Sequence, residues 1–162
     1  MVITSRFKPM LALPPYSGGK RRLISKIFRL LESAVPASEW PTLHFMDAFV
    51  GGGVVSLAAK ALGFKALHCN DWSERSQIVI QALIENQSRI FSSSELLALT
   101  RPLETPGFVQ THYAPSVFST RHAIALDRIL YNAQQLQNPT QRSLALLLAW
   151  RIFRSSHSAD RC

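Results

Sequence analysis

Two apolar runs, each closing on an acid and separated by a glycine triplet and an amphipathic stretch, lie between residues 43 and 71. Leu43-His44-Phe45-Met46-Asp47 leads through Ala48-Phe49-Val50 into Gly51-Gly52-Gly53, and Asn70-Asp71 ends the second run. Val54, Leu57, Ala58 and Ala61 recur at helical spacing between them. That order constrains the chain to a strand–turn–helix–strand unit with parallel strands. In such units glycine lets the backbone approach a ligand more closely than a Cβ would allow, and an acid at the tip of the second strand accepts hydrogen bonds from a ribose diol. Gly53 and Asp71 are 18 residues apart, close to the expected separation. A glycine triplet also serves as a plain tight turn. Gly51-x-Gly53-x-x-Ser56 matches a dinucleotide fingerprint with Ser in place of the third glycine, so a NAD-binding oxidoreductase fragment is one alternative.

A second element precedes the unit: Pro14-Pro15-Tyr16-Ser17-Gly18-Gly19-Lys20, running into a helical pattern. With Asp47-Ala48-Phe49-Val50-Gly51-Gly52-Gly53-Val54 and Asn70-Asp71-Trp72-Ser73, it resembles the D12-class DNA adenine-N6 methyltransferases, the group that includes the Dam-type enzymes, in both order and spacing. The resemblance covers residues 14–90 well and 113–150 more loosely. It implies an α/β fold: part of a Rossmann-like S-adenosylmethionine-dependent methyltransferase domain, followed by a helical segment of the target-recognition region. It also implies S-adenosylmethionine as cofactor and double-stranded DNA as partner.

Residue by residue, the resemblance assigns Tyr16 to the aromatic position against S-adenosylmethionine, where a ring face suits a sulfonium or an adenine. It assigns Lys20 to the lysine of the Gly-Gly-Lys turn, which pairs with the methionine carboxylate or stands near the active site. Asp47 holds the acidic position before the glycine turn, where most relatives carry Glu, and would accept the cofactor's ammonium group. Ala48 replaces the family's usual Pro, which loosens the turn. Phe49 would pack beside the cofactor, Gly51 and Gly53 would admit it, and Asp71 would bind its ribose. The plainer readings are a solvated Lys20 and a core Phe49.

The family transfers a methyl group to N6 of a flipped adenine with an Asp/Asn-Pro-Pro-Tyr/Phe tetrapeptide, whose acceptor atoms hold the amino group while the aromatic stacks on the base. No such tetrapeptide follows the glycine turn here. Leu13-Pro14-Pro15-Tyr16 lacks the acceptor and belongs to the upstream motif; Asn138-Pro139-Thr140-Gln141 lacks the second proline and the aromatic. No catalytic residue is assigned. The 162 residues therefore read as an N-terminal portion of such an enzyme, inactive by itself, with a C-terminal segment as a further partner. A non-catalytic DNA-binding module of the same descent is the other alternative.

Composition agrees with a cytoplasmic protein that has neither a membrane span nor a signal peptide. Apolar residues make up 47% of the chain, and no run approaches the ~18 apolar residues a membrane helix needs. Cys69 and Cys162 have no zinc-site spacing and make no disulfide framework, so no metal is expected and Cys69 reads as a small buried residue. Residues 1–30 hold seven Lys/Arg and no acid, residues 31–100 four bases and seven acids, and residues 101–162 seven bases and three acids. Basic ends around a mildly acidic cofactor segment suit a protein that grips nucleic-acid phosphates.

Periodicity and caps predict helices over 22–35, after the glycine turn as far as Gly63, over 73–90, and over 96–100 behind a Ser92/Glu95 capping box. Strands are expected at 43–46 and 65–69, with a third near 108–112. Helices are then expected over 119–137 and 140–153, where Arg121, His122 and Arg128 either face DNA or are simply solvated. The cofactor part is assigned to residues 1–101 and the start of the recognition region to residues 102–162.

Overall fold

In the computed structural model the described residues are Leu13 and 18–159, with side chains through Phe153. Tyr16 and Cys162 lie outside them. Two compact units divide between Glu85 and Asn86.

The first unit begins with a 3-10 turn, Arg21–Leu23, that runs into α1 (Ile24–Ala34). Ile24 and Phe28, one turn apart, are buried, and Ile27 and Leu31 are half-buried beside them. Val35 adopts an extended conformation and ends the helix, as the residue before a proline tends to do. Phe28 packs edge-on to Trp40 with ring centroids 6.0 Å apart, and Trp40 stacks on Phe64 at 5.0 Å. Phe45 of the sheet's first strand joins these rings, stacking on Phe28 at 6.0 Å.

β1 (His44–Asp47) pairs in parallel with β2 (Ala66–Cys69) across the helix α2 (Val54–Leu62), with His44 opposite Ala66 and Asp47 opposite Cys69. Gly63, at φ +86°, stops α2, and its N–H returns to the carbonyls of Ala59 and Lys60. Val50, Ile80 and Ile84 form the core under this unit, with Leu57, Leu67 and Cys69 packed on it. The other face of the sheet carries His44, Met46 and His68, all exposed, and His44 Nδ1 lies 3.0 Å from His68 Nε2. The expected α/β unit is present: two parallel strands joined through a helix.

The helix predicted over 73–90 is shorter. It comprises α3 (Glu74–Val79) and one π-helical turn, Ile80–Ile84. Lys60 Nζ donates to the carbonyls of Leu83 (2.9 Å) and Ile84 (2.8 Å), capping that turn. Beyond it Asn86 takes the backbone for itself: its Oδ1 accepts from Arg89 N at 2.7 Å and its Nδ2 donates to the Arg89 carbonyl at 2.8 Å. Such a side-chain loop competes with helix continuation.

The second unit is helical among its described residues. α4 (Ser93–Leu99) opens on the predicted capping box, with Glu95 N donating to Ser92 Oγ and Ser92 N to Glu95 Oε2. Residues 108–112, expected as a strand, lie instead in α5 (Phe108–Tyr113). The cause is distant in sequence. The buried Asp127 accepts from Val109 N at 2.8 Å and Gln110 N at 2.7 Å, satisfying first-turn amides that a strand would have had to pair elsewhere. α6 (Thr120–Gln134) starts behind Ser119, whose hydroxyl accepts from His122 N, and buries Ala123, Leu126, Ile129 and Ala133. α7 (Pro139–Ala159) begins one residue before the expected start, its proline occupying the first helical position, where a missing N–H costs nothing.

Candidate functional site

The strand ends of the first unit bring together most of the residues singled out from the sequence. Asp47 closes β1 and Asp71 follows β2, both at the C-terminal edge of the parallel pair, where open α/β sheets bind ligands. The connection is sewn tightly: Asn70 N donates to the Asp47 carbonyl at 2.9 Å, Val50 N to the Asn70 carbonyl at 3.1 Å, and Asn70 Nδ2 to the Ala48 carbonyl at 3.1 Å.

The Asp71 carboxylate reaches across to the glycine turn. Its Oδ2 accepts from Gly51 N at 2.7 Å and its Oδ1 from Ser73 N at 3.0 Å. The Gly51 amide, then the Ser73 amide, hold this carboxyl below the usual aspartate range. The Ser76 hydroxyl and the Trp72 amide add smaller contributions in the same direction. Gln77 Nε2 donates to the Asp71 carbonyl at 2.9 Å and so tethers the loop to α3.

Gly53 stands at φ +77° immediately before α2, and a Cβ built on it would lie 2.4 Å from Val79 Cγ1. The turn thus needs glycine twice over, for its left-handed backbone and for the packing of α3 behind it. Asp47 is half-buried and already partnered: Ser56 Oγ donates to its Oδ2 at 2.5 Å, and Phe49 N to its Oδ1 at 3.3 Å. Ser56 is fully buried. The residue that looked like a substitute for a third glycine is therefore the acid's anchor, a role spacing does not reveal.

Two aromatic side chains flank the strand ends and are left out of the core. Phe49 is 87% exposed and Trp72 is 99% exposed. The core reading of Phe49 is thereby excluded, and Trp72 is an addition that its neighbour Asp71 ought to have drawn attention to. Lys20 is exposed and folds back on its own turn, its Nζ donating to the Gly18 carbonyl at 2.7 Å. Its hydrogen bonding is separate from the Asp47–Asp71 cluster. No group of three or more metal-ligating side chains occurs among the described residues, and no helix among them is long and apolar enough to cross a membrane.

A strand, a glycine turn and an acid docked on that turn form the C-terminal edge of a βαβ unit. The family model of the D12 class N6 adenine-specific DNA methyltransferases matches residues 16–148. The chain belongs to that family. No curated protein and no solved structure matches it.

Proposed function

We propose that the chain forms the S-adenosylmethionine-binding part of an enzyme that methylates N6 of adenine in duplex DNA. The observation that carries this reading is the Asp71 carboxylate, docked on the Gly51 amide at the C-terminal edge of the parallel strand pair, in a chain of this family. A ribose diol at this edge would hydrogen-bond to that carboxylate. A ligand can lie along the Gly51–Gly53 backbone, whose left-handed turn Gly53 makes possible, and Phe49 offers it an apolar face. Asp47, oriented by Ser56, accepts the ammonium group of the methionine moiety, and Lys20 pairs with its carboxylate. Tyr16 completes the set from the upstream motif. On this reading β1, α2 and β2 are the centre of a Rossmann-like domain, with residues 1–101 serving the cofactor and residues 102–162 opening the target-recognition region.

The cofactor, when bound, supplies an electrophilic methyl group. What the amino group of the base needs is an acceptor and a stacking surface, and the 162 residues contain no Asp/Asn-Pro-Pro-Tyr/Phe tetrapeptide to provide them. Positioning of this kind can be worth roughly 7 to 11 kcal/mol of barrier. The chain alone is therefore expected to bind cofactor without methylating DNA.

Calorimetry with S-adenosylhomocysteine tests the reading. Asp71→Ala removes a charged acceptor, which costs about 1.5 to 3 kcal/mol, or about a 10- to 150-fold loss of affinity. Unchanged affinity removes Asp71 from the site. Tighter binding of NADH than of S-adenosylhomocysteine overturns the methyltransferase reading of this pocket.

A further inference from the structure

The sequence concentrates cations ahead of the cofactor unit, and the structure arrays three of them. On α1, at 3.6 residues per turn, Lys26 and Arg29 stand about 60° apart on the face turned away from the buried Ile24 and Phe28, and Arg22 stands in the 3-10 turn that leads into the helix. All three are exposed. Ser25 and Ser33 share the face, and the helix's one acid, Glu32, lies near its margin. None of the three cations forms an ion pair among the described residues, where Arg89 pairs with Glu95. Arg29 Nε donates instead to the Ser25 carbonyl of its own helix at 3.1 Å, leaving the rest of the guanidinium to solvent.

From Arg22 to Arg29 the stripe runs about 11.5 Å, at about 2.0 Å per residue through the 3-10 turn and 1.5 Å along α1. One strand of B-DNA presents a phosphate about every 3.4 Å of axis, so the stripe is matched in length to about three of them. Guanidinium groups pair with phosphate oxygens through two parallel N–H donors, and an ammonium pairs as a point charge. An anionic membrane would attract the same charges, but a helix that inserts there needs apolar side chains beside its cations. Here Ile24 and Phe28 are committed to the core, leaving Leu23 and Leu30 as the exposed large apolar residues of the segment.

We propose that Arg22, Lys26 and Arg29 form a sequence-independent phosphate-gripping stripe for the backbone of duplex DNA. The polymer is taken from the function proposed above; the stripe itself is separate from the Asp47–Asp71 cluster and contributes no group to it. The helix fixes the backbone positions of the cations in advance, and the counterions displaced by the phosphates make the contact strongly salt-dependent.

The experiment is fluorescence anisotropy of the full chain with labelled 20-base-pair duplexes of unrelated sequence, over a salt series, comparing wild type with Arg22→Gln/Lys26→Gln/Arg29→Gln. At about 0.9 per phosphate contact, the slope of log K against log salt should become shallower by about 2 to 3 in the triple variant, equally for every duplex. Lys65→Gln, a single exposed cation outside the stripe, should leave the slope unchanged. Circular dichroism and S-adenosylhomocysteine affinity should be the same in all three proteins, so that failure of the stripe is separable from failure of the cofactor site. A folded triple variant with wild-type slope overturns the proposal. So does equal loss in Lys65→Gln, which would mean that general basicity suffices, or wild-type binding to phosphatidylserine vesicles that is tighter than to duplex and lost in the triple variant.

Discussion

Alanine at Gly53 meets two separate obstacles, and each can be measured. The residue sits at φ +77°, a left-handed conformation that costs an L-residue about 1 to 2 kcal/mol. Its new methyl would also stand 2.4 Å from Val79 Cγ1, with Ile84 Cδ1 at 3.8 Å behind it. Val79 is buried and cannot swing aside freely, so overpacking adds about 1 to 3 kcal/mol. The sum, about 2 to 5 kcal/mol, is a large part of the 5 to 15 kcal/mol that holds typical domains folded. Gly63 supplies the control: its φ is +86°, yet nothing lies within 4 Å of the point its new methyl would occupy, so Gly63→Ala meets the backbone cost alone. Both changes restrict the unfolded chain equally, which cancels that contribution. Urea unfolding followed by far-ultraviolet circular dichroism should show Gly53→Ala less stable than Gly63→Ala by about 1 to 3 kcal/mol. Adding Val79→Ala should hurt wild type more than it hurts Gly53→Ala, with a coupling above the ~0.5 kcal/mol scatter of independent sites. Equal losses at the two glycines, or strict additivity with Val79→Ala, would refute the close packing of α3 on the turn.

Three further outcomes are expected. Asp127→Ala should destabilise the second unit by about 1.5 to 3 kcal/mol, because two first-turn amides of α5 lose a buried charged acceptor; loss of helical signal in a melt checks it. The carboxyls of Asp71, held low by the Gly51 amide, and Glu95, held low by the Ser92 amide and hydroxyl, contribute stability that is complete above the ordinary carboxylate range and is lost as pH falls through their depressed values. Acid titrations of thermal stability should accordingly be flatter in Asp71→Asn and Glu95→Gln than in wild type. Burial pushes the Cys69 thiol up, so in a Cys162→Ser background Ellman's reagent should react with it at pH 7 more slowly than with an unfolded control.

The parts of the site legible from the sequence were those whose chemistry is local. Glycine at a turn needing a left-handed residue, and an acid one strand further on, announce themselves by type and spacing; so do the Ser92/Glu95 cap and the proline that ends α1. Illegible were features created by partners far along the chain. Nothing near residues 108–112 declares that Asp127 will cap them into a helix. Nothing in Ser56 declares that it will orient Asp47, and the end of the helix after Ser73 depends on Asn86 bonding to its own loop and on Lys60 arriving from α2. Local propensity describes a segment's preferences, while a single buried carboxylate or ammonium outweighs them.

The Gly51 amide is held by a side chain 20 residues away, just beyond the end of the far strand. Its protection from hydrogen exchange therefore cannot exceed the lifetime of the closed β1–α2–β2 crossover. The shape of the glycine loop depends on β2 being docked, since the segment after β2 supplies Asp71. A ligand that bridges the two would slow exchange at Gly51 and along the β1–β2 ladder together, so that occupancy of the pocket is readable at amides that never touch it.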